Sequence, residues 1–201
     1  MLHYNDIDFL EIGTSDFNTL IENANDNTKG FSVEPIKFYL DSLPNPKNIK
    51  KINAAISITN STDDINLYYI PYEKIIEHNL PRWFKGCNSL GNMHLKVNEH
   101  KLEHLVEVLI VRQIPIGSFL EEHNIRKIDF LKIDTEGGDT YILEHLYNYL
   151  ANKEKIYFPK KIKFESNRLT PRDRVNLIIN MYSKLGYKSK RLKNDTEMVL
   201  Q

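Results

Sequence analysis

Short apolar runs, closed by Gly, Pro or an acidic residue, recur along this chain and alternate with amphipathic stretches. The segments "IDFLEI" (7–12), "FSVEP" (31–35), "IKKINAAISI" (49–58), "INLYYI" (65–70), "VEVLIVRQI" (106–114), "IDFLKID" (128–134) and "KKIKFES" (160–166) each predict a strand. Between them, "DTYILEHLYNYL" (139–150) sets Ile142, Leu143, Leu146, Tyr149 and Leu150 on one helical face, with Asp139 or Thr140 as N-cap after Gly137-Gly138. "TPRDRVNLIINMYSKLG" (170–186) predicts a helix capped by Thr170, with Pro171 at its first position and Gly186 as its stop. "YKSKRLKNDTEMVLQ" (187–201) reads as a hairpin turning at Asn194-Asp195. Strands alternating with helices predict an α/β domain: a mainly parallel seven-stranded sheet, covered on both faces and closed by a C-terminal antiparallel hairpin. The least regular segment, 71–105, holds Trp83, Gly86, Gly91 and four of the seven histidines. Long irregular segments in compact domains tend to be lids or binding loops, so 71–105 is expected to be a lid.

A length of 201 residues suits a single domain over 1–201 with one sizeable core. Lys plus Arg equals Asp plus Glu at 27 each, so no global charge points to a polyanion, and no aromatic-basic module signature points to nucleic acid. The charge is uneven: Lys153 to Lys193 contains thirteen Lys or Arg against Glu154, Glu165 and Asp173. That stretch is either a solvated basic surface or a docking face for an anionic substrate or partner. Cys87 stands alone, which excludes a disulfide framework and a cysteine zinc site. No run approaches the ~18 apolar residues of a membrane span, and no basic-then-apolar leader opens the chain. The expected compartment is the reducing cytoplasm.

In open α/β sheets ligands sit beyond the carboxyl ends of the strands. That directs attention to Glu11–Ser15, Glu34, Asn53–Ala55, Asp134–Gly138 and Glu165. A dinucleotide needs Gly at three places of G-x-G-x-x-G, but those places hold Gly13, Ser15 and Asn18, which disfavours NAD. S-adenosylmethionine (SAM) has no phosphate and a positive sulfonium. It needs a tight first turn, a carboxylate near its amino end and an acid for the ribose hydroxyls. Glu11, Gly13 and Ser15 supply the first two, and Glu34, after the second strand, fits the third. Asp134 and Glu136 flank the exit of the clearest strand, where two carboxylates can bind a cation, orient a hydroxyl or take its proton. Lys132 shares a strand face with Asp134. "HKLEH" (100–104) fits the H-x-x-E-H zinc pattern, but it is short, lacks a third ligand helix and disagrees with the α/β alternation; a polar helix face is the simpler reading.

These segments resemble the FkbM family of SAM-dependent O-methyltransferases, and the resemblance covers about residues 7–170. "DFLEIG" is similar to its first motif, "FSVEP" to its second with the acid-Pro pair, and "INAAIS" to its third strand. "NSL" (88–90) is similar to a Ser-Leu signature, and "IDFLKIDTEGGDTYIL" to its I-D-F-L-K-I-D-x-E-G-x-E pattern. Three positions depart: Phe17 stands for a second Gly, Gly117 for an Asp before the last motif, and Asp139 for its closing Glu. Relatives carry sequence ahead of the first motif, so an excised domain of a longer polypeptide, or a minimal version, is expected. The resemblance implies a Rossmann-like class I methyltransferase fold, with SAM held by Glu11, Gly13, Thr14, Ser15, Glu34, Asn53, Ala54, Ala55 and Asp134. It implies methyl transfer to a hydroxyl, first of all a sugar hydroxyl of a glycan, with Trp83, Ser89 and His94 on the acceptor side. Asp134, Glu136 and His94 are the candidate catalytic groups, and Asp134 with Glu136 the candidate ligands for Mg²⁺ or Mn²⁺. Fusion to, or association with, glycosyltransferase domains fits the same picture. The alternatives are a polyketide-like acceptor, a non-catalytic SAM-fold module of a larger glycan-processing protein, and a nicotinamide enzyme.

Overall fold

The structure is a computed structural model that describes residues 5–15 and 19–201. Along the chain lie β1 (Asn5–Ile12), β2 (Gly30–Val33), α1 (Lys37–Ser42), β3 (Ile49–Ile52) and β4 (Ala55–Ile56). A middle section follows: β5 (Ile65–Tyr69), α2 (Tyr72–Glu77), β6 (Ser89–Leu90), α3 (Leu95–Glu99) and β7 (Glu107–Val111). Next come β8 (Gln113–Ile114), α4 (Ile116–Glu122), β9 (Ile125–Ile133) and α5 (Asp139–Leu150). β10 (Lys161–Glu165), α6 (Arg172–Lys184), β11 (Tyr187–Arg191) and β12 (Asp195–Leu200) complete the chain.

The main sheet has seven strands in the order β11-β12-β10-β9-β1-β2-β3. β3, β2, β1, β9 and β10 run parallel, while β12 is antiparallel to both β10 and β11. The expected mainly parallel sheet with its closing hairpin is therefore present. Chain order diverges from the centre: β1 leads outward to β2 and β3 on one side, and β9 and β10 fill the other. That divergence opens a crevice at the carboxyl ends of β1 and β9.

Alternation along the strands sets the layers. Leu10, Ile12, Leu131, Ile133, Ile162 and Phe164 point to one face and pack against Phe119, Leu143, Leu146, Ile178 and Tyr182 of α4, α5 and α6. Gly117 on α4 fits this contact, since a Cβ there would sit 2.7 Å from the Tyr149 ring of α5. On the other face Phe9 packs with Ile21, Leu40 and Leu43. Beyond that cluster the same face carries Lys161–Glu197 and Lys163–Asp195 pairs at 2.8 and 2.9 Å. The expected double cover thus extends over only part of the sheet, because β10 alternates lysine with its buried positions and cannot bury both faces.

Several other expectations need correction. The 49–58 run divides at Asn53, whose side-chain amide donates to the carbonyls of Glu34 and Pro35 at 3.0 and 2.8 Å. β4 then pairs with β8 rather than extending β3. The 65–70 and 106–114 runs lie outside the main sheet: β5 joins β6 and β7 in an antiparallel three-stranded sheet, and β8 pairs with β4. Segment 71–105 is more regular than its sequence implies. It contains α2, α3 and β6, and buries Ile75, Phe84, Cys87, Val97 and Leu105 with Ile70 in a cluster of its own.

Both expected helix caps are absent. The N-cap of α5 is Gly138, and Asp139 instead accepts from the Thr135 amide, the Thr135 hydroxyl and the Glu165 amide at 2.8, 2.6 and 2.7 Å. It ties the exit of β9 to the end of β10. α6 starts at Arg172, with Pro171 in the N-cap position and no side-chain cap, so Thr170 is one residue too early.

Candidate active site

A cavity opens at the carboxyl ends of β1, β2 and β9, where the crossover topology leaves a crevice. Its free space, open mouth included, is about 670 Å³. Ile12 to Ser15 and Val33 to Pro35 form one side, Asp134 to Glu136 another, and Ala54, Ala55 and Ile56 an apolar wall with Leu67 and Leu90. Gly86 and Asn88, from the segment between α2 and α3, complete the lining.

Gly13 is required by backbone proximity. Its φ is +77°, and a Cβ there would lie 2.0 Å from the Asp134 carbonyl oxygen. The hydrogen bond from the Asp134 amide to the Ile12 carbonyl, at 2.9 Å, holds the two strand exits at that separation. Glu34 lies at the end of β2, nearly buried, with one oxygen accepting from the Ser15 amide (2.8 Å) and the other from the Ile36 amide (2.9 Å).

Glu11 falls elsewhere. It is fully buried, does not line the cavity, and pairs with Lys132 at 2.8 Å while accepting from the Leu20 amide at 2.9 Å. Burial pushes its carboxyl above the usual range and the Lys132 ammonium opposes that shift. Parallel register places Glu11 directly beside Lys132 on the face opposite the helices, and the pair anchors the chain returning at Leu20. This corrects its placement at the amino end of a ligand. Asn53 also lies outside the lining; through Glu34 and Pro35 it holds the turn that presents Glu34. Phe17 and Asn18 lie outside the described residues.

Four carboxylates crowd the exits of β9 and β10. Oxygens of Asp134, Glu136 and Glu165 lie within 4.8 Å of one another, and Asp139 lies beneath them. Asp134 is open through the cavity mouth but hemmed in by protein elsewhere, and desolvation, then Asp139 and Glu136, push its carboxyl up to about 7. Burial raises Asp139 to about 6 despite its three hydrogen bonds. Desolvation with Glu136 and Asp134 nearby carries Glu165 to about 9. Like charges this close cannot all ionise without a proton or a cation between them. Glu136 holds φ at +53°, a left-handed conformation that costs a non-glycine residue about 1–2 kcal/mol.

His94 explains how Glu136 is held. Its Nδ1 accepts from the Lys96 amide at 3.1 Å, which leaves the proton on Nε2, 3.2 Å from a Glu136 oxygen. The ring therefore donates to Glu136, and its one lone pair is already used. His94 is buried and does not line the cavity. Neither do Trp83 and Ser89. Trp83 is half-exposed and stacks on Phe84 at 3.9 Å between ring centroids, and Ser89 pairs with Tyr68 in the small sheet. The "HKLEH" histidines share no helical face, since α3 ends at Glu99 and Lys101 turns left-handed at φ +57°. His100 packs on Trp83 and Phe84, and His104 on His78.

The structure thus brings Gly13, Thr14, Ser15, Glu34, Ala54, Ala55, Asp134 and Glu136 to one cavity. The sequence reading gave no site role to Thr135, Gly86, Asn88, Ile56, Leu67 or Leu90. It marked Glu165 as a strand end without joining it to Asp134 and Glu136. Its signal was the acid closing "KIKFE", which is indistinguishable from a solvated strand end until β9 and β10 are seen to be neighbours.

A Rossmann-like α/β domain, with a cavity at the switch point of its sheet, is the class that fold and site define. The chain belongs to the FkbM methyltransferase family: the model of the methyltransferase FkbM domain matches residues 5–189. No curated protein matches the chain significantly. No helix among the described residues is long and apolar enough to cross a membrane.

Proposed function

We propose that this methyltransferase uses SAM to methylate a hydroxyl, with a sugar as the acceptor class. The observation that carries the reading is one cavity with Glu34 on the β2 side, an apolar wall at Ala54, Ala55 and Ile56, and a carboxylate cluster at the β9 exit. Glu34 accepts from the ribose hydroxyls, and the adenine lies on the apolar wall. Thr14 and Ser15, whose hydroxyls are buried without partners among the described residues, face the polar end of the cofactor. The sulfonium lies toward Asp134, where negative charge favours the cation over its neutral product.

The reaction is an in-line displacement. A carboxylate, Asp134 in this reading, takes the acceptor's proton; the oxygen bonds to the methyl carbon; the carbon–sulfur bond breaks with its electron pair going to sulfur. The products are a methyl ether, S-adenosylhomocysteine and a protonated carboxyl group. A carboxyl raised to about 7 suits a general base near neutral pH. His94 acts through Glu136 as a positioning residue, holding that carboxylate in its left-handed turn. Alignment supplies much of the rate, because the methyl group is already activated.

The oxygens of Asp134, Glu136 and Glu165, within 4.8 Å, favour a second version in which these three hold Mg²⁺ or Mn²⁺. Such hard cations take oxygen donors, and a bound cation lowers the pKa of an acceptor hydroxyl. The carboxylates then serve as ligands, relieved of their mutual repulsion. Titration calorimetry with SAM, followed by methyl-transfer assays in EDTA and with Mg²⁺ or Mn²⁺ restored, separates the versions. Full turnover in EDTA eliminates the metal. SAM binding with no turnover on any hydroxyl acceptor indicates a non-catalytic module, and no SAM binding refutes the reading.

A further inference from the structure

A second cavity, with about 640 Å³ of free space, open mouth included, lies at the start of α6 and takes its charged lining from Arg168, Arg172 and Arg191. We infer that it binds a phosphoryl group, carried by the acceptor whose hydroxyl is methylated; the acceptor half of this inference rests on the methyltransferase reading.

Three features converge. First, three guanidinium groups line the cavity and no carboxylate does. Arg168 also contacts Glu99 at 2.9 Å and Arg191 donates to Asn176 at 2.6 Å, but a guanidinium has five N–H donors, so both keep donors to spare. The acids close by are Glu99, on Arg168, Asp173, exposed in the first turn of α6, and Glu165, which accepts from the Asn167 side chain. Second, α6 is thirteen residues long and no side chain caps it, so its first amides and the positive end of its dipole face the cavity. Third, Thr170 lines the cavity, is only 5 % exposed, and its hydroxyl has no hydrogen-bond partner among the described residues. A buried hydroxyl left unbonded is unfavourable. A phosphoryl oxygen accepts from that hydroxyl, from the first-turn amides and from the arginines in bidentate fashion.

Asn167 links this cavity to the active site. It lines the arginine cavity, and its side-chain amide donates to Glu165, a member of the carboxylate cluster. That contact sets the arginine cavity beside the carboxylate cluster, and the inferred acceptor reaches from one to the other, its phosphoryl group on the arginines and its hydroxyl at the carboxylates. A phosphorylated sugar has that chemistry, and phosphate monoesters pair with arginine forks better than neutral sugars do.

The test uses the full chain saturated with S-adenosylhomocysteine and two probes, inorganic phosphate and hexose 6-phosphate. Calorimetry is expected to show phosphate binding, weakened at least about tenfold in the double variant Arg172→Ala/Arg191→Ala. Thr170→Val is expected to weaken phosphate binding without lowering the unfolding temperature measured in its absence. Amide NMR separates the sources: inorganic phosphate should shift only residues 166–170, Arg172 and Arg191, and hexose 6-phosphate also Asn88 and Glu136. No phosphate binding, or a Thr170→Val variant destabilised without phosphate, overturns the site. Hexose 6-phosphate that shifts only the arginine side overturns its role in acceptor binding. A protein that binds phosphate but not SAM sinks the methyltransferase reading and the acceptor assignment while leaving the anion site.

Discussion

Gly13→Ala tests whether the cavity is set by backbone contact between two strand exits. A Cβ at residue 13 would stand 2.0 Å from the Asp134 carbonyl oxygen, whereas real Cβ contacts stay beyond 3.0 Å. The β1 and β9 exits must therefore separate by at least 3.0 − 2.0 = 1.0 Å. Two costs add. The left-handed φ of +77° strains alanine by about 1–2 kcal/mol, and overpacking adds about 1–3 kcal/mol. Gly137→Ala is the matched control, with φ at +105° and nothing within 4 Å of the new Cβ. Urea denaturation should show Gly137→Ala losing about 1–2 kcal/mol and Gly13→Ala about 2–5 kcal/mol. The 1.0 Å displacement also moves Asp134 relative to Thr14 and Ser15. A misplacement of that size can cost about a hundredfold in rate, so SAM affinity and turnover should fall in Gly13→Ala at temperatures where it stays folded. Equal destabilisation of the two variants, or an unaltered SAM affinity in Gly13→Ala, would refute the contact as the determinant.

Glu34→Ala should weaken SAM by about 1.5–3 kcal/mol in calorimetry, the worth of hydrogen bonds to a charged group; unchanged affinity in the folded variant would remove Glu34 from the site. Glu11→Ala removes the carboxylate beside the buried Lys132 ammonium and should cost about 3–5 kcal/mol in urea unfolding, and the double variant Glu11→Leu/Lys132→Met should recover most of it; equal losses would show the pair is not the cause. Asp134→Asn should lower turnover at least about a hundredfold whether the residue is base or ligand, and a fully active variant would exclude both roles. The raised carboxyls, Asp134 at about 7 and Glu165 at about 9, bind protons in the folded state that the unfolded chain releases near 3.8 and 4.5. Between those limits the folded state holds more protons, so stability should fall as pH rises from about 4 to 9. Mg²⁺ should restore stability most at the alkaline end if the cluster holds it; a melting temperature that rises with pH under cation-free conditions would contradict the mutual repulsion.

What the sequence determined by itself is local. Period-two apolar runs define the central strands, because alternating side chains must bury one face. The motif around Asp134 and Glu136, with "DFLEIG" and "FSVEP", marked the family and the three strand exits that meet at the cavity. The long-range partners lay beyond it. "IKKINAAISI" looks like one strand, yet Asn53 finds its hydrogen-bond partners nineteen and eighteen residues away and turns the chain there. Glu11 reads as a ligand carboxylate until the β1–β9 register pairs it with Lys132, 121 residues on. His94 reads as a free base until Lys96 and Glu136 occupy both ring nitrogens. Glu165 joins Asp134 and Glu136 only because β10 lies beside β9, and Arg191 reaches Arg168 and Arg172 only because the closing hairpin returns to the start of α6. A residue's propensity and its neighbours' polarity are written in its own stretch of chain. Its charge state and hydrogen-bond partners are decided by whichever distant segments share its low-dielectric surroundings, and only the folded sheet brings those together.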